Sequence, residues 1–209
     1  MLLQLGGPSS LDEVQPFLES MFRDPDLLRV PIPRRLRNWL AARFAARRAK
    51  HVRELYAMIG GGSPIGRLTA LQASMLEEAV RSRLHARVVV AMRYGGSGTA
   101  EAVEAVNNAG CSRLVLLPLY PHYSAATTGS SLREWKACAA RAGMDLPTGI
   151  VRSYETHPGY IAAVAQRLRE GLAALPKDPT PRVVFSAHGL PQKYVRQGDP
   201  QADSMFDAV

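Results

Sequence analysis

His188, in the run FSAHGLP (Phe185–Pro191), is the side chain of this sequence best placed to do chemistry. It directly follows Val183–Ala187, a run that reads as a strand, and open α/β folds bind their ligands at the carboxyl ends of such strands. Gly189 leaves the backbone free to turn there. A neutral imidazole at that edge can ligate a metal ion or accept a proton near neutral pH; the alternative is a structural histidine that closes a loop. The other histidines make weaker cases. His122, in YPHY, follows another strand and could reach the same crevice, while His157 precedes Pro158 and can cap a helix. His51 and His85 lie in arginine-rich helical surroundings and read as surface residues. The sequence has no HxxxH or HExxH pair, which argues against a closed zinc site.

Two glycine runs invite a phosphate reading, because consecutive backbone amides can cradle an anion. GGGSP, Gly60–Pro64, follows a helical stretch and lacks the lysine and hydroxyl residue of a Walker loop. GGSG, Gly95–Gly98, stands between a strand and a helix without a full GxGxxG, and reads as a strand-to-helix turn. Cys111 and Cys138 form neither a CxxC pair nor a four-cysteine cluster site, so they read as buried or idle thiols.

The charge is concentrated. Lys and Arg number 26 against 18 Asp and Glu, a net +8, and nine of the cations fall in Arg29–Arg53, which holds no acid. Such a segment makes one basic surface that faces an anionic ligand, nucleic acid or lipid head groups, with a solvated helix face as the plain alternative. Trp39 and Phe44 are the aromatic residues within it and no nucleic-acid motif accompanies them, so nucleic acid is not the expected partner.

These residues need a scaffold. A chain of 209 residues with 46% hydrophobic composition can bury one large core or two small ones. Short apolar runs alternate with stretches of helical period, the pattern of a parallel sheet with crossover helices. The strands expected are Leu2–Leu5, Arg87–Met92, Arg113–Leu119, Thr148–Arg152 and Arg182–Ala187. Between the first two lie helices at Leu11–Phe22, Leu36–Ile59 and Pro64–Leu84. Val52, Leu55, Tyr56 and Ile59, then Leu68, Leu71, Met75 and Ala79, make apolar stripes expected to face the core. Ser131 and Glu134 match a capping box, and Gly143 closes that helix. Pro158 starts another, with Ile161, Val164, Leu168, Leu172 and Leu175 on one face, and the connector Pro176–Pro181 follows.

A boundary is expected in the small-residue loop between Tyr120 and Ser131. The part after it has two strands, and a two-strand sheet is rarely a stable core, so the chain reads as lacking a C-terminal portion or as completed by a partner. The start, MLLQLGGPSSLDE, has no basic n-region, and the apolar runs fall short of the roughly 18 residues of a membrane span. A cytoplasmic address is therefore expected.

In this order, LQLGGPSSLDEVQPFLESMFRDP, RRAKHVRELYAMIGGGSPI, AMRYG, LLPLYPHYSAATTGSSL and FSAHGLPQKYVRQGDP closely resemble the ferrochelatase family across nearly the whole chain. The resemblance implies a lyase of haem biosynthesis that inserts Fe²⁺ into protoporphyrin IX, or coproporphyrin III in some bacteria. The fold it implies is α/β, with two Rossmann-like domains of parallel sheets and the porphyrin in the cleft between them. Here these would be residues 1–125, with a helical insertion at 11–84, and a partial second domain at 126–209. His188 would be the catalytic group and metal ligand, as iron ligand or proton acceptor. Arg47 and Arg48 would bind the propionates, Tyr56 and Ser63 would line the porphyrin site, Arg93 and Tyr94 would stand beside it, and Leu5 would face the ring from the side opposite the histidine.

Departures from the family pattern are Gln4 in place of Asn, Gly96–Ser97 in place of His-Pro, and no counterpart of the family's acidic residue opposite the histidine. Asp199, Asp203 and Asp207 do not substitute for that acid. No permanently bound cofactor is expected, and two cysteines cannot supply the four thiolates of an iron–sulfur cluster. The basic segment leaves room for a peripheral contact with anionic lipid. A porphyrin- or haem-binding module without turnover, and a cobalt chelatase of a corrinoid precursor, are the alternative readings.

Overall fold

Four short runs rich in leucine, valine and isoleucine pair as β1 (Leu2–Gln4), β2 (Val90–Met92), β3 (Leu114–Pro118) and β4 (Thr148–Ile150). The structure is a computed structural model that describes residues 1–25, 32–176 and 180–207. The strands form one parallel sheet in the order β2-β1-β3-β4. Leu2 lies in register with Val90 on one side and Leu117 on the other. Parallel neighbours need crossover connections, and the sequence supplies them as helices. Between β1 and β2 run α1 (Val14–Arg23), α2 (Arg34–Met58) and α3 (Ile65–Val80); α4 (Thr99–Asn108) links β2 to β3, and α5 (Thr128–Arg141) links β3 to β4. The expected insertion of helices between the first two strands is therefore present.

Two cores hold this arrangement. Leu3, Ala91, Leu114 and Leu116 of the sheet pack with Ala102, Val103 and Val106 of α4 and Cys138 of α5. Leu3 and Leu116 are fully shielded from water, each contributing about 1.5–3 kcal/mol of burial. A second cluster joins Val14, Phe17 and Leu18 of α1 to Ala45 and Ala49 of α2 and to Tyr94. Ala41, Ala45 and Ala49 are spaced by four residues, so one small-residue stripe lets α2 approach closely.

The expected stripe holds in part, since Val52 and Tyr56 pack partly buried on this second cluster. Leu55 on α2, Ile59 just past its end, and Leu68, Leu71 and Met75 on α3 are exposed, while Thr69 and Ala73 are the buried positions of α3. Helical period marks an apolar face without saying which neighbour covers it. Ser131 is likewise not a cap: α5 begins at Thr128, and the Ser131 amide already donates to the Thr127 carbonyl.

The contacts divide the chain into two units. The first comprises Met1–Leu119 and Ala125–Val151; the second comprises Tyr120–Ser124 and the described residues from Arg152 onward. β4 belongs to the first, paired with β3, whereas it was expected to build a second sheet. The second unit is helical, with α6 (Pro158–Ala173), α7 (Gln192–Arg196) and α8 (Gln201–Asp207). α6 opens as its sequence dictates: His157 Nδ1 accepts the Gly159 amide at 3.1 Å, and Pro158 occupies the first turn. Yet none of its residues is buried, including the Ile161–Leu172 stripe. Tyr154 and Tyr160 pack edge to face at 5.5 Å.

The fifth expected strand does not form. Val183–Ala187 joins no ladder among the described residues, and Val183, Val184 and Phe185 are exposed. A strand requires a neighbour's backbone groups, and β-branched composition cannot supply them. Arg29 of the basic segment and positions 177–179 of the proline-rich connector lie outside the described residues.

Candidate functional site

The carboxyl ends of β1 and β2 meet at a pair of backbone hydrogen bonds, Arg93 N to Gln4 O and Tyr94 N to Leu5 O, both 2.8 Å. This is the sheet edge at which parallel folds bind ligands. Gly6 follows with φ +85°, and a Cβ there would lie 1.9 Å from the Tyr94 carbonyl oxygen, so only glycine fits. The chain then runs past the loop that ends α2: Ser63 N donates to Pro8 O at 2.7 Å, and a Cβ on Gly62 would lie 2.3 Å from Ser9 O. GGGSP is thus a close-packing loop against GGPS. Ser63 Oγ accepts the Ile65 amide at 3.3 Å at the start of α3.

Five of the residues singled out in the sequence gather at this edge. Leu5 and Tyr56 pack, partly buried, on the cluster that contains Tyr94. The Gln4 side chain folds over the Leu5 amide at 2.9 Å. Ser63 stands against Pro8, and Arg93 and Tyr94 continue β2 beside Leu5. Arg47 and Arg48 lie on the exposed side of α2, flanking the buried Ala45 and Ala49. The basic segment therefore divides by role. Arg53 Nε donates to Leu11 O at 3.0 Å and ties α2 to the turn before α1, while Arg47 and Arg48 remain at the surface.

Beneath the edge lies a polar knot that sequence reasoning missed. Asp24, 4% exposed, accepts hydrogen bonds through Oδ2 from Arg93 Nη2 at 2.5 Å, Ser130 Oγ at 3.1 Å, and the Tyr94 hydroxyl. Arg93 also donates from Nε to Ser130 Oγ at 2.9 Å, and its Nη1 stands 3.7 Å from Glu134. Its guanidinium lies 4.9 Å from the Tyr94 ring centroid, and Phe17 meets the same ring edge to face. Ser130 sits in the first turn of α5, where the helix dipole favours the Asp24 carboxylate. Burial, then the hydrogen bond to Asp24, pushes the Tyr94 hydroxyl well above the usual tyrosine range, so it stays a donor. Asp24 and Ser130 are 106 residues apart in sequence. The only local sign of Asp24 was a Pro25 behind it, which reads as a turn.

His188 belongs to the second unit. It is exposed on the irregular segment before α7 and borders a hollow of about 340 Å³ with Phe185, Leu190, Gln201, Met205 and Phe206. The expectation that a strand end positions it is thus corrected, because no strand forms there. Elsewhere in this unit His122 Nδ1 stands 3.1 Å from Ser204 Oγ on α8, and Ser124 Oγ donates to Asp199 Oδ2 at 2.9 Å. Among the described residues no three His, Cys, Asp or Glu side chains gather to hold a metal ion, and no helix is long and apolar enough to cross a membrane.

A parallel α/β sheet with its candidate ligand groups at the carboxyl edge is the class of protein defined here. A sequence profile of the Ferrochelatase family matches residues 1–209, and the chain belongs to that family. Ferrochelatase of Citrifermentans bemidjiense is 41% identical over 209 residues, covering all of this chain and 65% of its own length. Ferrochelatase of Geotalea uraniireducens is 42% identical with the same coverage. Ferrochelatase-2, chloroplastic, of Cucumis sativus is 40% identical over 214 residues, covering all of this chain and 42% of its own. The chain thus spans about 65% of the length of these bacterial relatives.

Proposed function

We propose that this chain belongs to an enzyme that inserts Fe²⁺ into protoporphyrin IX, the metal and the porphyrin both being substrates. The observation that supports this best is the meeting of Leu5, Tyr56, Ser63, Arg93 and Tyr94 at one sheet edge in a chain that matches the ferrochelatase family throughout. Insertion replaces two pyrrole N–H protons by one Fe²⁺, so the site must accept two protons while the ring is held. His188, whose imidazole nitrogen offers a lone pair, is the proton acceptor or the iron ligand in this reading. Leu5 and Tyr56 supply apolar wall for the macrocycle. Arg47 and Arg48, exposed on one helix, match the propionates, because arginine forks bind carboxylates bidentately. Exposed arginines on α2 also suit a peripheral contact with anionic lipid.

Porphyrin binding without turnover is the second reading, favoured by the exposure of His188 on a segment outside the sheet. An anaerobic absorbance titration of the chain with protoporphyrin IX and Fe²⁺ separates the two. Conversion to the metalloporphyrin spectrum above the protein-free rate supports insertion; a shifted spectrum that stays free-base supports binding alone. Cobalt with a corrinoid precursor, run alongside, should give no faster conversion. His188→Ala should abolish conversion and leave porphyrin affinity within about threefold, a change under 1 kcal/mol. Retained conversion would remove His188 from the reacting centre.

A further inference from the structure

Arg93 is a cation at the ligand edge, yet its charge is already committed. Asp24, Ser130 and Glu134 surround the guanidinium at 2.5, 2.9 and 3.7 Å, and the side chain is 15% exposed. Arg47 and Arg48, on the helix whose Ala45 and Ala49 pack with Tyr94, carry no such partner carboxylate among the described residues and are exposed. Exposed positive charge on α2 therefore contrasts with a cation at the sheet edge that is already neutralised. We infer that Asp24 is a specificity-determining residue: by holding Arg93 in an ion pair it withdraws that guanidinium from ligand carboxylates, and so favours a porphyrin with carboxylates on one side over one with carboxylates around the rim.

The inference rests on the porphyrin reading. A ligand that brings carboxylates to both sides must leave one set beside a guanidinium already paired with a carboxylate and next to the Asp24 and Glu134 charges. That arrangement desolvates an anion without a partner, which is costly at a partly buried site. A dicarboxylate ring can turn its carboxylates toward α2 and avoid it. Asp24 touches no ligand in this account; it acts through Arg93.

The test is a pair of absorbance titrations, with protoporphyrin IX (two carboxylates) and coproporphyrin III (four), on the full chain and on Asp24→Asn. Freeing the guanidinium should move the ratio of the two dissociation constants about tenfold toward coproporphyrin, the worth of one charge-assisted hydrogen bond. The double variant Asp24→Asn with Arg93→Gln should bring the ratio back toward that of the unaltered chain. A merely structural Asp24 would weaken both porphyrins together and leave the ratio unmoved, and that result overturns the inference, as does a ratio that stays shifted in the double variant. Should Asp24→Asn fail to fold, Glu134→Gln removes the second carboxylate from a side chain 35% exposed and should shift the ratio by about threefold; no shift overturns the inference. An unaltered chain that takes up neither porphyrin overturns the porphyrin reading itself.

Discussion

Tyr94 carries more structural work than its place in a five-residue motif suggests. Its amide closes the β1–β2 edge on Leu5, its ring fills the cluster between α1 and α2, and its hydroxyl donates to Asp24. Tyr94→Phe keeps the ring and removes the donor, leaving the buried carboxylate one bond short, and should cost about 1–3 kcal/mol in urea unfolding. The folded chain holds the phenolic proton more tightly than the unfolded one, since burial and Asp24 both raise its pKa. The stability from this group is therefore complete below the ordinary tyrosine value of about 10 and is lost as pH rises above it. Unfolding midpoints measured from pH 8 to 11.5 should fall more steeply for the unaltered chain than for Tyr94→Phe; parallel curves would detach the hydroxyl from the buried carboxylate.

At the scale of elements, α2 divides its two jobs between its faces. Ala41, Ala45 and Ala49 pack inward, and Arg47 and Arg48 point outward from the same turns. The carboxylate-binding role can therefore be removed without touching the packing. Replacing Arg47 and Arg48 by Ala should weaken protoporphyrin IX by roughly tenfold or more while leaving its dimethyl ester within about twofold. Equal losses for acid and ester in fluorescence titrations would dismiss the propionate contact. The helix also shows where sequence patterns mislead. Its period was legible, but the apolar positions Leu55 and, just past its end, Ile59 are exposed and alanines form the buried stripe. Close approach of two helices selects for small side chains at the contact, and no hydrophobicity count marks them.

At the scale of the whole molecule, the two units differ in what holds them together. The first has a parallel sheet with two apolar clusters; the second has helices, and α6 buries none of its residues. Local opening costs least where few apolar contacts must break. Amide hydrogen exchange should therefore be slowest at Leu3 and Leu116, and orders of magnitude faster along Pro158–Ala173; equal protection in both would mean that the second unit has a core of its own.

The sequence by itself determined whatever depends on neighbours in the chain. Four strands and the helices between them followed from apolar period, the His157–Pro158 start of α6 from capping chemistry, and the turn at Gly95–Gly98 from its place between β2 and α4. Family membership followed from five ordered motifs, each a run of adjacent residues. Only the tertiary structure decided what depends on distant partners. β4 joined the first sheet because β3 offered it a ladder, and Val183–Ala187, equally β-branched, found none among the described residues. Arg93 was expected to stand beside the porphyrin site, but only the folded chain brings Asp24, 69 positions away, against its guanidinium. Backbone torsions, caps and side-chain period act over a few residues, whereas ladders and buried ion pairs form between groups that only the folded chain brings within 3 Å.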